Sequence, residues 1–182
     1  YTPAPQFDPE KAKELLAEGG YNGEELIMIC QSGTKTQTMA EILQGQFMNV
    51  GIKATVNPMD NASWGAAMRL TEGWNLNVRS ATVATMDMNY QRSTISYDYD
   101  LSQGNAPRVI RNEEMENLIL EDISCGDSAR RKEIWADIST IMNEEVYYIP
   151  LFAEFNTYGY NKNVDDVYAF PLQYWAYFAD WN

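Results

Sequence analysis

A chain of 182 residues, 45% of them hydrophobic, is long enough to bury a core of its own as one domain. Its formal net charge of −13 argues against gripping a nucleic-acid backbone or docking on an anionic membrane surface. The absence of His removes histidine triads, histidine-ligated zinc and the commonest general base.

Residues 1–7 are Pro-rich and read as a linker. Asp8-Pro9-Glu10 starts a helix, with Asp as cap, Pro at the first helical position and an acid in the first turn. Ala12, Leu15 and Leu16 form its apolar stripe, and Gly19-Gly20 ends it. Glu25–Gln31 (ELIMICQ) is a continuous apolar run, the pattern of a strand buried on both faces. After the polar turn Ser32-Gly33-Thr34, the spacing of Met39, Ile42, Leu43, Phe47 and Val50 predicts a helix closed by Gly51. Residues 52–59 alternate and predict a second strand, parallel to the first by a right-handed crossover. Asp60 caps a third helix with Trp64, Ala67, Met68 and Leu70 inward, and Gly73 ends it.

From Trp74 to Tyr90 the chain reads WNLNVRSATVATMDMNY. Leu76 and Val78 alternate with Asn75, Asn77 and Arg79, which predicts a strand with one apolar face. A dense set of hydrogen-bonding groups follows. A polar run leaving the end of a buried strand is where α/β domains place their ligand sites. Residues 80–110 read as a long irregular stretch, of the kind that is usually functional or mobile. Two helices come next. Glu113–Ser124 has Met115, Leu118, Ile119 and Ile123 inward. Ser128–Glu144, capped by Asp127, has Ile134, Trp135, Ile138, Ile141 and Met142 inward. Tyr147–Phe152 and Phe155–Tyr160 predict two further strands, and 161–182 an irregular aromatic tail. The alternation of helices and strands gives an α/β fold, read as a single domain over 1–182.

Cys30 and Cys125 lie far apart and form no metal-spaced cluster, so a disulfide and two separate thiols both remain open. Beginning at Tyr1 with no apolar run long enough for a membrane, the chain reads as a fragment or a processed product.

Three stretches in register carry a resemblance. They are DPEKAKELLAEGGY at 8–21, VGIK at 50–53 followed by a strand and then PMD at 58–60, and RKEIWADI through IMNEEVYYIPL at 131–151. In this order they resemble the C-terminal lobe of the family 5 extracellular solute-binding proteins, the dipeptide, oligopeptide and nickel-type receptors of ABC importers. The resemblance implies a type II periplasmic-binding-protein-like lobe, a mixed, mostly parallel sheet flanked by helices. It implies a clamp that does no chemistry and needs neither metal nor cofactor. It also implies three partners: a peptide or other small polar solute, the N-terminal lobe of the same protein, and a membrane permease. The place of action would be the extracellular face of the cell envelope, in the periplasm or on a lipid anchor. Peptide-binding members read like W-G-x-D-Y-x-D-P at the strand-to-loop stretch, the Asp gripping the ligand's amine. Laid on residues 81–88, that pattern puts Ala81 at the aromatic, Ala84 at the Asp and Asp87-Met88 at the D-P, so the amine anchor is absent or displaced.

The candidate ligand contacts are Arg79, Ser80, Thr82, Thr85, Asp87, Tyr90, Trp64 and Glu154. Arg79 could grip a carboxylate or phosphate with its planar fork, or pair with a local acid. Asp87 suits a cationic group or a turn. Ser80, Thr82 and Thr85 suit a polar ligand or plain loop chemistry. Tyr90 and Trp64 could stack on a ligand or fill the core, and Glu154 is a site acid or a solvated strand residue. A carbohydrate-binding receptor is the rival reading, because Tyr and Trp platforms suit sugars. A glycosidase using Asp87, Asp98 and Asp100 is a further one, although nothing in the sequence fixes the separation of those acids.

Overall fold

The computed structural model describes residues 6–70, 72–80, 92–104, 109–152, 159, 161, 163, 168–169 and 176–177. The first helix, α1 (Pro9–Glu18), starts as its sequence dictates, with the Asp8 carboxylate accepting from the amide of Lys11 at 2.9 Å. Its stripe is less buried than expected: Leu15 is exposed and no residue of α1 is buried. Tyr21 ties the next turn to the sheet, its hydroxyl donating to the carbonyl of Glu24 and accepting from the amide of Lys53.

Strand β1 (Glu25–Gln31) is central. It pairs in parallel with β2 (Lys53–Met59) and, on its other side, with β3 (Leu76–Val78), giving the order β2-β1-β3. The crossovers are α2 (Lys35–Asn49) and α3 (Asn61–Ala67). Right-handed crossovers running in opposite directions from a central strand lie on opposite faces of the sheet. Consecutive burial of Met28, Ile29 and Cys30 agrees, because neighbouring strand residues face opposite sides.

The face of α2 differs from the expected one. The residues turned inward are Thr36, Ala40, Leu43 and Phe47, while Ile42 is exposed. Steps of four, three and four keep a residue on one side of a helix, and Ile42 falls about 100° off that line. Leu70 is also exposed, because α3 ends at Ala67. Strand β3 starts later than Trp74. Asn75 nonetheless extends its ladder: the Asn75 amide donates to the carbonyl of Ile27, and the Asn75 side-chain oxygen accepts from the amide of Ile27, both at 2.8 Å.

The stretch expected to be irregular contains two short helices, α4 (Arg92–Ile95) and α5 (Tyr97–Ser102). Ser96 caps α5 by accepting from the amide of Tyr99, so the serine-and-acid pattern of 96–100 marks a helix start. The helices α6 (Glu113–Ser124) and α7 (Ser128–Glu144) start at Asn112 and Asp127, each accepting from a first-turn amide. Ile95, Met115, Ile119, Ile134, Ile138 and Ile141 form a core between α4, α6 and α7. Ile123, expected inward, is exposed, and two acids that periodicity did not mark are buried on α6: Glu116 and Asp122.

Residues 147–152 form no strand, contrary to expectation, because no strand among the described residues lies beside them. The strand expected at 155–160 falls outside the described residues except for Gly159, which is irregular. The tail is not wholly irregular either: β4 (Tyr168–Ala169) and β5 (Ala176–Tyr177) pair antiparallel. Both cysteines are free thiols. Among the described residues no helix is long and apolar enough to cross a membrane.

Candidate functional site

All three parallel strands end at one edge of the sheet. The register sets Cys30 beside Val78 and Gln31 beside Met59, so Gln31, Met59 and Arg79 reach the same level. From this edge β1 leads into α2 and β2 into α3, on opposite faces. The gap between β1 and β3 is therefore a switch point, where open α/β sheets bind ligands outside the carboxyl ends of their strands.

The residues at the edge follow from how each strand ends. The Gln31 side-chain amide donates to the side-chain oxygen of Asn61. The amide of Ser32 donates to the carbonyl of Met59 at 2.8 Å, holding the first turn against the end of β2. Thr34 stands at the cap position of α2 but makes no side-chain cap bond; its hydroxyl donates instead to the carbonyl of Gln31 at 2.8 Å. The positive end of α2 thus opens toward the strand ends without a capping oxygen. Asp60, by contrast, is committed as the cap of α3. It accepts from the amides of Ala62 and Ser63 and from the Ser63 hydroxyl at 2.6 Å.

Those bonds set the acid behaviour of Asp60. The Ser63 hydroxyl, then the Ser63 and Ala62 amides, hold its carboxyl below the ordinary value of 3.8. A depressed folded-state pKa gives stability that is present above the ordinary value and lost as pH falls through the folded one. Asp60→Asn keeps the cap geometry and removes the titration. The wild type should exceed this variant in urea midpoint above pH 3.8, and the difference should vanish as the pH falls further. A difference that is constant with pH would show that the charge contributes nothing.

Of the sequence candidates, Arg79 and Ser80 stand at the carboxyl end of β3, Arg79 partly buried and Ser80 exposed. No acid among the described residues pairs with Arg79, so its guanidinium is available at the edge. Trp64 lies nearby on α3. Its indole N–H donates to the side-chain oxygen of Asn77 at 2.9 Å, which binds α3 to β3 and leaves the ring without a polar handle for a ligand. Thr82, Thr85, Asp87, Tyr90 and Glu154 lie outside the described residues. Gln31, Thr34 and Asn61 were not expected at the site. The available signal was their position, each within three residues of a strand end.

The acids of the glycosidase reading do not form an open pair among the described residues. Asp98 accepts two bonds from the Arg111 guanidinium, at 3.0 and 3.1 Å, while Asp100 is buried on α5. What the edge offers is mainly donors: a planar cation, an uncapped helix start, a hydroxyl and an amide. That set suits an anionic or strongly hydrogen-bonding ligand group.

A model of the bacterial extracellular solute-binding proteins, family 5 Middle, matches residues 1–103. The glutathione-binding protein GsiB of Escherichia coli (strain K12) is 27% identical, over 94% of this chain and 35% of that protein. The chain thus spans about a third of the length of the curated relatives it matches. Among solved structures, the mannohexaose-bound periplasmic oligopeptide-binding protein of Thermotoga maritima superposes with a TM-score of 0.70 at 19% identity, covering 80% of this chain and 30% of that one. The dipeptide-binding protein of a Pseudoalteromonas species, in complex with Met-Leu, gives 0.68 at 20% identity, over 78% and 29%. These structural likenesses establish the fold as that of a type II periplasmic-binding-protein lobe.

Proposed function

Because the chain belongs to the bacterial extracellular solute-binding proteins of family 5, we propose that it is the C-terminal ligand-binding lobe of a two-lobed ABC-importer receptor. Residues 8–160 form the body of the lobe, 1–7 a linker and 161–182 a tail. The full protein captures a short peptide, or a solute with similar polar ends, and passes it to a membrane permease without chemical change. It works at the extracellular face of the cell envelope, in the periplasm or on a lipid anchor.

The observation that carries this reading is Arg79, unpaired among the described residues at the end of β3 and level with the end of the central strand. Its fork suits a ligand carboxylate. Ser80, Thr82 and Thr85 supply further hydrogen bonds, Asp87 and Glu154 take cationic or donor groups, and Tyr90 supplies an aromatic wall. Trp64 backs β3 from behind. With Ala84 at the position of the usual amine anchor, recognition rests more on the carboxylate end of the ligand than on its amine.

The test is a thermal-shift screen of the full-length receptor against short peptides including glutathione, against oligosaccharides and against metal chelates. Peptides with a free C-terminus should stabilise it, and no shift with any peptide would overturn the reading. Arg79→Ala should weaken a stabilising peptide about tenfold to a hundredfold, the value of a charged hydrogen bond of about 1.5–3 kcal/mol. Amidating the peptide's C-terminus should weaken wild-type binding equally and have no further effect on the variant. Equal losses on amidation in both proteins would remove Arg79 from the site.

A further inference from the structure

The chain leaves α7 through a strained residue. Val146 has φ 53°, in the left-handed region that a β-branched residue occupies only at a cost. Tyr147 and Tyr148 then pack against the α6–α7 core, and the Tyr148 hydroxyl donates to the carbonyl of Thr94. Beyond these anchors the surroundings change. Ile149, Leu151 and Phe152 are 60%, 44% and 60% exposed. Three large apolar side chains within four residues have no core beneath them, and such patches mark interaction sites.

The main chain is equally unengaged. Among the described residues nothing accepts from the amides of Ile149 or Leu151. Pro150 has no N–H and decides which side is usable. In an extended segment the amides alternate, so those of Ile149 and Leu151 point to one side and the positions of Pro150 and Phe152 to the other. A partner strand can add along the first side, while proline interrupts the second. Proline inside strands is confined to edges of this kind.

We propose that Ile149–Phe152 is an edge strand completed by a strand from the part of the receptor outside these 182 residues. The proposal rests on the reading of the chain as one lobe of a longer protein, and the chain's 35% share of GsiB's length leaves ample sequence to supply the partner. A second copy of the chain is the poorer occupant, because each copy carries a net charge of −13 and two would repel. The left-handed turn at Val146 and the two tyrosine anchors fix where the segment departs, so its apolar side chains are presented away from the α6–α7 core.

The test is amide exchange on the full-length receptor without ligand. The Ile149 and Leu151 amides should exchange about a hundredfold or more slower than in an unstructured peptide of the same sequence, as ladder amides do when exchange requires cooperative opening. Phe152, on the proline side, should exchange faster than either. Exchange of Ile149 and Leu151 at the unstructured rate overturns the proposal. Protection that disappears on dilution assigns the edge to a second copy and overturns it as well. Leu151→Asp should lower the thermal midpoint of the full-length receptor, and an unchanged midpoint would mean that the side chain stays in water. If that variant does not fold, the wild-type exchange pattern decides alone. Ligand capture is read separately by thermal shift, so a receptor that binds none of the screened solutes still reports on this edge.

Discussion

Arg131→Met should lower the unfolding free energy by about 3–5 kcal/mol, the cost of leaving a buried carboxylate without its partner. The carboxylate is Asp122 on α6, whose side chain is 1% exposed against 33% for Arg131. Two bonds join them across the turn between α6 and α7, at 2.9 and 3.2 Å. Met keeps the aliphatic stem and volume of Arg, so the loss reads the charge and its donors more than the packing. Replacing both members, as Asp122→Leu with Arg131→Met, should recover most of the loss, because an apolar pair of similar size removes the stranded charge. Urea unfolding of the single and double variants measures this. A single variant within about 0.5 kcal/mol of wild type would make the pair equivalent to a surface contact. The neighbouring Arg130 is the control. Its bonds to Glu121 and Glu133 join exposed groups, and disrupting them should change little.

Glu116→Ala is expected to be the second most damaging change. Glu116 is 4% exposed; it accepts from the Ser96 hydroxyl at 2.6 Å and from the amide of Tyr97 at 2.8 Å. Each buried donor left unpaired costs about 1–3 kcal/mol. Ser96 is also the cap of α5, so losing its acceptor loosens the start of that helix. The expected result is a clear drop in urea midpoint together with faster amide exchange at 97–100. Glu116→Gln, which keeps an acceptor oxygen, should lose about half as much. Equal losses in the two variants would show that packing volume, not hydrogen bonding, holds α5 against α6.

Much of the architecture was legible because punctuation and period agreed. Asp8-Pro9, Asp60 and Asp127 announced three helix starts, and the unbroken ELIMICQ run announced a strand covered on both faces. The errors came where distant partners decide. Ile42 looked as apolar as Leu43, but the sheet selects the line through Thr36 and Ala40, whose small side chains permit close approach. Glu116 and Asp122 break the apolar period of α6, and their burial depends on Ser96, Tyr97 and Arg131, which lie nine to twenty positions away. Tyr147–Phe152 has strand composition, but a strand needs a neighbour and the described residues provide none. At the candidate site the strand-end position of Arg79 and Ser80 was readable from alternation. Gln31, Thr34 and Asn61 were not, because their place at the edge depends on how three strands align.

The burial of Cys30 in the middle of the central strand makes the molecule its own clock. Its thiol is fully covered, and desolvation, with Glu41 as a lesser contribution, pushes its pKa up, so in the closed sheet it is both shielded and protonated. A disulfide reagent can reach it only when the strand separates from its neighbours, and the rate of labelling therefore counts openings of the sheet. Cys125, partly exposed at the end of α6, offers a second thiol outside the sheet and hence an internal reference for reagent reactivity. Together the two thiols let the breathing of this lobe be timed in the native protein, with no label introduced.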